Sequence, residues 1–413
     1  MPITVPDRAV GRPADFRSLL PLVTRGLSGN VAIVDDSVVV PFDELPTLPG
    51  SGLRHSWDVH GTGDQLGTLN RLTGPVVAAS VGAVRTGERI GVSLPLGLPD
   101  PPFFGRQAFK HTVFPMAPFA FDDYLDGFYL QCSSQWDGLR HIGSPDGWYG
   151  GWQGAAEADP ETLGIHHWAA RGIIGRGLLI DLVSARDGTG YDPFSSVAFS
   201  PEELSAALAA VGGSLRYGDI LCVRTGWMDK YLALSVAEQG ELAESMVDVT
   251  GYTAAGLSGS ESMARFLWDS GVAAVACDNP AVEVVPGDRS VGFLHGRLIT
   301  GLGFAIGELF DFGPLAEACA RSGRCEFLFV SVPLNLTGGV GSPANAVAIL
   351  LGQGGQDARH SQWFQRRGAA VLRDPRHRGL RRDRRVLRRR FGLAGQRRGA
   401  RPPGPARAQG DHR

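Results

Sequence analysis

The stretch from Tyr129 to Gly151 carries side chains that could move protons. Asp137 and His141 lie four residues apart. Three further polar or aromatic residues come shortly before them: Gln131, Gln135 and Trp136. Glycine and proline punctuation on the C-terminal side favours a loop over a long helix, and loops on a rigid scaffold often carry binding groups. A carboxylate beside an imidazole could act as an acid–base pair. The alternative is a polar turn in which both side chains bond local backbone groups.

A second set of candidate residues lies downstream and contains Asp278, Asn279, Glu283, His295 and Glu308. A divalent cation requires neutral imidazoles and carboxylates that converge from different segments. Taken alone, the residue types favour a core or capping histidine for His295 and a solvated helix carboxylate for Glu308. The residue types therefore permit a metal site without requiring one.

The first stretch resembles a variant of the signature of the putative cyclase family, His-x-Gly-Thr-His-x-Asp-x-Pro-x-His. On this chain Gln131 and Gln135 take the places of the first two histidines, Asp137 that of the aspartate and His141 that of the last histidine. Other matching segments are Gly67-Thr68-Leu69-Asn70, Leu294-His295-Gly296-Arg297-Leu298-Ile299 and Gly307-Glu308-Leu309. The family comprises metal-dependent hydrolases, including bacterial kynurenine formamidase and isatin hydrolase.

This resemblance implies roles for named residues. His141 would be the proton donor and acceptor, with Asp137 as its catalytic partner. The implied metal ligands are Asp137, Gln131, Gln135, His295 and Glu308. The candidate substrate contacts are Trp57, Trp136, Asp278 and Asn279. The implied cofactor is a divalent metal, zinc or manganese, and the two glutamines favour the harder ions because they offer neutral oxygen donors.

The order of apolar runs and helical segments indicates an α/β fold. Buried strands are predicted at 172–181, 219–227, 272–280 and 327–332, and a further strand at 90–94. Helices are predicted at 74–86, 162–170, 200–210 and 259–270, the third with Ser200 as its N-cap. The resemblance implies a single cyclase-like domain over 55–352, with a central β structure flanked by helices. An irregular lead-in, 1–54, precedes it.

Composition and charge divide the chain in two. The formal net charge of −2 combines a body of −16, residues 1–352, with a tail of +14, residues 353–413. The tail has 18 Arg and no apolar periodicity, so we expect it to be disordered. A nucleic-acid-binding arm or a shifted reading frame would give a similar composition. Five scattered cysteines, no signal-like N-terminus and no membrane-length apolar run predict a cytoplasmic protein.

We therefore expect a hydrolase that acts on an amide, lactam or lactone bond of a small substrate, aromatic ones included. The resemblance makes it arylformamidase-like, with a place in tryptophan catabolism. Two alternatives remain, namely a metal-free cyclase or dehydratase that uses Asp137 and His141, and a non-catalytic binding protein. The expected partners are a small-molecule substrate and further copies of the chain in a homodimer or higher homo-oligomer, but neither a membrane nor nucleic acid.

Overall fold

The computed structural model describes residues 39–154, 159–247 and 251–351. The predicted tail, 353–413, and residues 1–38 of the predicted lead-in lie outside these ranges. The predictions made for them, and for the domain boundaries, stay predictions.

The described chain alternates strands and helices. The strands are β1 (Val84–Gly91), β2 (Lys110–Ala117), β3 (Ala120–Asp126), β4 (Gln135–Asp137), β5 (Ile173–Asp181), β6 (Ala198–Phe199), β7 (Ile220–Arg224), β8 (Gly256–Leu257), β9 (Ala274–Cys277), β10 (Ala305–Glu308), β11 (Glu326–Ser331), β12 (Gly341–Pro343) and β13 (Ala346–Leu351). The helices are α1 (Gly74–Gly82), α2 (His166–Arg171), α3 (Leu182–Ala185), α4 (Pro201–Ala210), α5 (Trp227–Ala233), α6 (Val236–Ser245), α7 (Glu261–Asp269) and α8 (Gly313–Ser322). A π-helical turn covers Gly296–Gly301.

Nine strands form one mixed sheet in the order β1-β13-β11-β5-β7-β9-β10-β4-β12. Strands β5, β7, β9 and β10 pair in parallel, whereas the outer pairings are antiparallel. Every residue of β9 and β10 is buried, as is most of β5 and β7. Parallel strands covered on both faces become continuous apolar runs, which is the pattern in the sequence. The α/β prediction is confirmed.

The predicted helix start at Ser200 is confirmed. At the start of α4, Ser200 accepts from the Glu203 backbone N–H while the Glu203 carboxylate accepts from the Ser200 N–H, a complete capping box.

Of the helices described in these ranges, none is long and apolar enough to cross a bilayer.

Several predicted boundaries are wrong. The helix predicted for 74–86 ends at Gly82, and β1 begins at Val84 instead of at residue 90. The helix predicted from residue 162 begins only at His166. The loop predicted to end near His111 leads into the β2–β3 hairpin, which was not predicted because its exposed residues lack a buried face. Strands β4, β10 and β13 were also missed.

A buried ion pair holds the centre of the sheet. Arg176 on β5 donates to both Asp219 carboxylate oxygens, at 2.8 and 2.6 Å, and to Glu326 on β11 at 2.5 Å. Arg216 also approaches Glu326, at 4.0 Å, but its side chain is 66% exposed. Burial makes the first interaction costly to break, while solvent screens the second.

We expect Arg176→Met to destabilise the fold by about 3–5 kcal/mol, because it leaves the buried Asp219 carboxylate without its paired cation. Urea denaturation would measure the loss. Arg216→Met is the matched control and should cost at most about 1 kcal/mol. Equal effects of the two substitutions would contradict this account.

Candidate functional site

The short strand β4 divides the predicted signature between two faces of the sheet. Side chains alternate along a strand, so Gln135 and Asp137 lie on one face and Trp136 on the other. Gln135 pairs directly with Glu308 at the end of β10, and its Nε2 donates to Glu308 Oε2 at 2.8 Å. The pairing of β4 with β10 therefore joins the two candidate sets, which are 173 residues apart in the chain.

Asp137, His295 and Glu308 form a buried cluster. His295 Nε2 lies 3.1 Å from Glu308 Oε1 and 3.8 Å from Asp137 Oδ2. One ligand atom from each residue lies within 4.8 Å of the others. Burial, together with the charge of Asp137, raises the pKa of Glu308 to about 7. The cluster thus concentrates negative charge away from water. Binding of a proton or a cation would reduce the repulsion between these charges.

Glu283 fixes the orientation of the His295 ring. Its Oε1 lies 2.6 Å from His295 Nδ1, and its two oxygens also accept from the backbone N–H groups of Leu294 and His295. Burial lowers the pKa of His295, but the hydrogen bonds to Glu283 and Glu308 outweigh it and raise that pKa well above its usual value. The ring therefore presents Nε2 to the other carboxylates, the arrangement that a second carboxylate gives to metal-binding histidines.

Gln131 and His141 complete the group. Gln131 Nε2 donates to Asp137 Oδ1 and lies 3.3 Å from His141 Nδ1. His141 Nε2 is 3.9 Å from Asp137 Oδ2, and its side chain is 27% exposed. Burial lowers the pKa of His141, although the charge of Asp137 acts in the opposite direction. A neutral imidazole that reaches solvent and the cluster can accept a proton.

The structure brings together all six residues that the resemblance placed on metal or acid–base positions: Gln131, Gln135, Asp137, His141, His295 and Glu308. The alternative for Glu308 is wrong, because this residue is buried at the end of a strand and is not a solvated helix carboxylate. The alternative for His295 is wrong too, since both ring nitrogens face carboxylates.

The four predicted substrate contacts are not brought to this cluster. Trp136 is fully buried against Phe310 and Phe329 and donates to Ser331, since β4 turns it to the opposite face. Trp57 donates to the carbonyl of Thr300. Both tryptophans pack with the core around the site, and their assignment as substrate contacts stays a prediction.

Asp278 and Asn279 bond neighbouring loops, and their assignment as substrate contacts also stays a prediction. Asp278 accepts from the backbone of Thr225 and Gly226, and thereby fixes the loop that follows β7. Asn279 donates to the carbonyls of Ala255 and Glu283. Both residues follow β9, and their hydrogen bonds stabilise the loops there.

A cavity of about 630 Å³ opens above the cluster. Its floor contains Gln135, His141, Glu283, His295 and Glu308. Its walls are mainly apolar: Phe104, Ile142, Tyr252, Pro280, Ala281, Val284, Val285, Pro286 and Phe293. The Phe293 ring lies parallel to the His295 ring, with centroids 5.3 Å apart. A volume of this size fits a small molecule, and the walls favour an apolar one.

Sequence reasoning missed three cavity residues: Arg106, Tyr252 and Phe293. Arg106 donates to the Gln131 carbonyl and stacks over Phe104, so it borders the site although 25 residues separate it from Gln131. None of the three lies in a motif, and their spacing carries no signal. Only the fold places them.

The donor set fits a divalent cation. Asp137 Oδ2 and Gln135 Oε1 are buried acceptors with no hydrogen-bond partner among the described residues. Buried carboxylate and amide oxygens without donors are costly unless something compensates them. Together with His295 and Glu308 they form a mixed oxygen and nitrogen set that suits zinc or manganese.

Comparison with known proteins finds a matching family model and solved structures of similar fold. Residues 93–284 match the model of a family described as putative cyclase. A crystal structure described as a novel cyclase has a TM-score of 0.63 to this chain at 28% identity, and the match covers 72% of this chain and 99% of that one. Over this range the chain is similar to the putative cyclase family. The resemblance predicted from the signature is therefore confirmed.

Two other solved structures are more distant. Isatin hydrolase A from Labrenzia aggregata, solved with benzyl benzoate, has a TM-score of 0.45 at 16% identity, covering 69% of this chain and 99% of its own. An isatin hydrolase bound to the product analogue thioisatinate has a TM-score of 0.48 at 15% identity, covering 68% and 99%. The comparison with curated proteins gives no match.

We expect chelator-treated protein to bind a single Mn²⁺ or Zn²⁺ ion at the Asp137–His295–Glu308 cluster, as calorimetry would measure. Glu283→Gln should weaken that affinity by about 10–100-fold, because Glu283 orients the His295 ring without being a ligand itself. Asp123→Asn, a change on the exposed hairpin, is the control and should have no effect. Absence of binding by the wild-type protein would contradict the assignment.

Proposed function

We propose that this chain is a hydrolase that opens an amide, lactam or lactone bond of a small aromatic substrate, in an arylformamidase-like reaction. The observation that supports the proposal is the convergence of Asp137, His295, Glu308 and His141 beside an apolar cavity that the last three of these residues line. Carboxylates and an imidazole provide charge and proton transfer at one end of the cavity. The walls provide a surface for a flat, apolar ring.

Asp137, His295 and Glu308 would hold the divalent metal, with Gln135 Oε1 as a further oxygen donor. When bound, such a metal polarises a carbonyl group and lowers the pKa of water. Glu283 supports this role because it keeps His295 Nδ1 engaged at 2.6 Å and leaves Nε2 directed at the cluster.

His141 would move the proton. It would accept the proton of the attacking water and return it to the leaving nitrogen or oxygen as the scissile bond breaks. Burial lowers the pKa of His141, so the ring is neutral and able to accept at neutral pH. Gln131 holds one ring nitrogen, which leaves the other on the side of Asp137.

One observation favours a second candidate, a metal-free cyclase or dehydratase. The amide groups of Gln131 and Gln135 donate to Asp137, and Gln135 also donates to Glu308. These neutral donors partly satisfy the carboxylates without a cation. In this alternative Asp137 and His141 would serve as the acid–base pair.

The two candidates separate in one experiment. Protein purified without chelator would be analysed for metal and then assayed against N-formyl aromatic amines, aryl lactams and aryl lactones. We expect stoichiometric metal and hydrolysis that chelation abolishes and Mn²⁺ or Zn²⁺ restores. Turnover that survives complete metal removal would favour the alternative, and no turnover with any metal would exclude the hydrolase.

We expect His141→Ala to lower kcat by about two to four orders of magnitude while the protein stays folded, because this partly exposed imidazole lies outside the apolar core clusters. His141→Gln should fail nearly as badly, since an amide keeps hydrogen bonds but transfers no proton. His111→Ala, on the exposed hairpin, is the control. The role is wrong if folded His141→Ala retains near-wild-type turnover.

A further inference from the structure

The hydroxyl of Tyr252 is buried and lacks a hydrogen-bond partner in the part of the chain that the structure describes. The residue is 5% exposed. Its ring packs 6.1 Å from the Phe104 ring. A buried hydroxyl without a partner destabilises a fold, so its presence requires a reason.

The other tyrosines of the described core are satisfied. The Tyr149 hydroxyl donates to Asp64, and the Tyr191 hydroxyl donates to the Thr225 carbonyl. The Tyr231 hydroxyl accepts from the backbone N–H of Asp100. Tyr252 and Tyr231 belong to the same apolar cluster, yet only Tyr252 lines the cavity.

The hydroxyl of Tyr252 is a donor under all ordinary conditions. Burial raises its pKa, and the negative charges of Glu308 and Glu283 raise it further, so the proton stays on the oxygen. Tyr252 lines the same cavity as Glu283, His295 and Glu308. Glu308 and Glu283 already accept from Gln135 and from the residues around His295, and neither accepts a hydrogen bond from Tyr252 in the described contacts.

We propose that the Tyr252 hydroxyl binds the carbonyl oxygen of the substrate and makes the site select carbonyl compounds. This inference rests on the proposed hydrolase function. Water adds to the carbonyl carbon, a C–O bond forms, and the carbonyl π pair moves onto the oxygen that Tyr252 holds. The pair then returns, the C–N or C–O bond to the leaving group breaks, and His141 supplies the leaving group's proton.

Tyr252→Phe tests the proposal against a matched control, Tyr231→Phe. The first change keeps the ring and removes the hydroxyl, so kcat/KM should fall by about 10²-fold while the melting temperature stays level or rises. The control removes a bond to the Asp100 backbone, so the melting temperature should fall while kcat/KM stays within about twofold. Unchanged kcat/KM in Tyr252→Phe would overturn the proposal and leave the hydrolase function intact.

A binding measurement decides the case in which the wild-type protein hydrolyses nothing. Benzamide carries a carbonyl oxygen, whereas cumene has a similar shape and no acceptor. Tyr252→Phe should weaken benzamide binding by about 3- to 10-fold and leave cumene binding unchanged. Equal loss of both probes, or of neither, would overturn the inference, since it would make Tyr252 a packing residue.

Discussion

Repulsion among three buried carboxylates is the constraint around which this site is built. Asp137, Glu283 and Glu308 all lie near the single imidazole of His295, and all are nearly excluded from solvent. Unpaired charges in such a place are unfavourable. The surrounding structure responds with donors, namely two glutamine amides and the backbone N–H groups of Leu294 and His295. The strand pairing of β4 with β10 holds them in place.

The same constraint explains why two of the side chains of the site lie at strand ends. Glu308 is the last residue of β10, and Gln135 is the first residue of its partner β4. Backbone pairing fixes both side chains with little freedom, so the charges cannot separate into solvent. On a loop the same side chains could move apart into solvent, and the repulsion between their charges would be relieved. Rigid support of this kind is what places catalytic groups accurately.

Much of the fold could be predicted because its signals are local. A few residues are enough to indicate a buried strand at β5, β7, β9 and β11, and a helix start at Ser200. The sheet order could not be predicted, since it depends on pairings between distant strands. The residue types alone pointed to Asp137 and His141 as an acid–base pair, whereas the ligand positions of Gln131 and Gln135 came only from the family resemblance, because a glutamine carries no intrinsic signal. Tyr252 and Arg106 were missed, as only long-range packing brings them to the cavity.

The two glutamines alter the chemistry that the family signature implies. A histidine at either position would offer a cation one ring nitrogen and would carry its N–H on the other. A glutamine offers an oxygen together with an N–H₂ group, and here the N–H₂ groups of both residues bond carboxylates. A cation must therefore compete with internal donors for Asp137 and Glu308, which weakens its hold. The unpartnered oxygens, Asp137 Oδ2 and Gln135 Oε1, remain as acceptors that no described donor satisfies. The amide groups compensate only part of the negative charge of the carboxylates. The remaining charge favours the binding of a cation or a proton, and it therefore favours the metal-assisted reaction over the metal-free one.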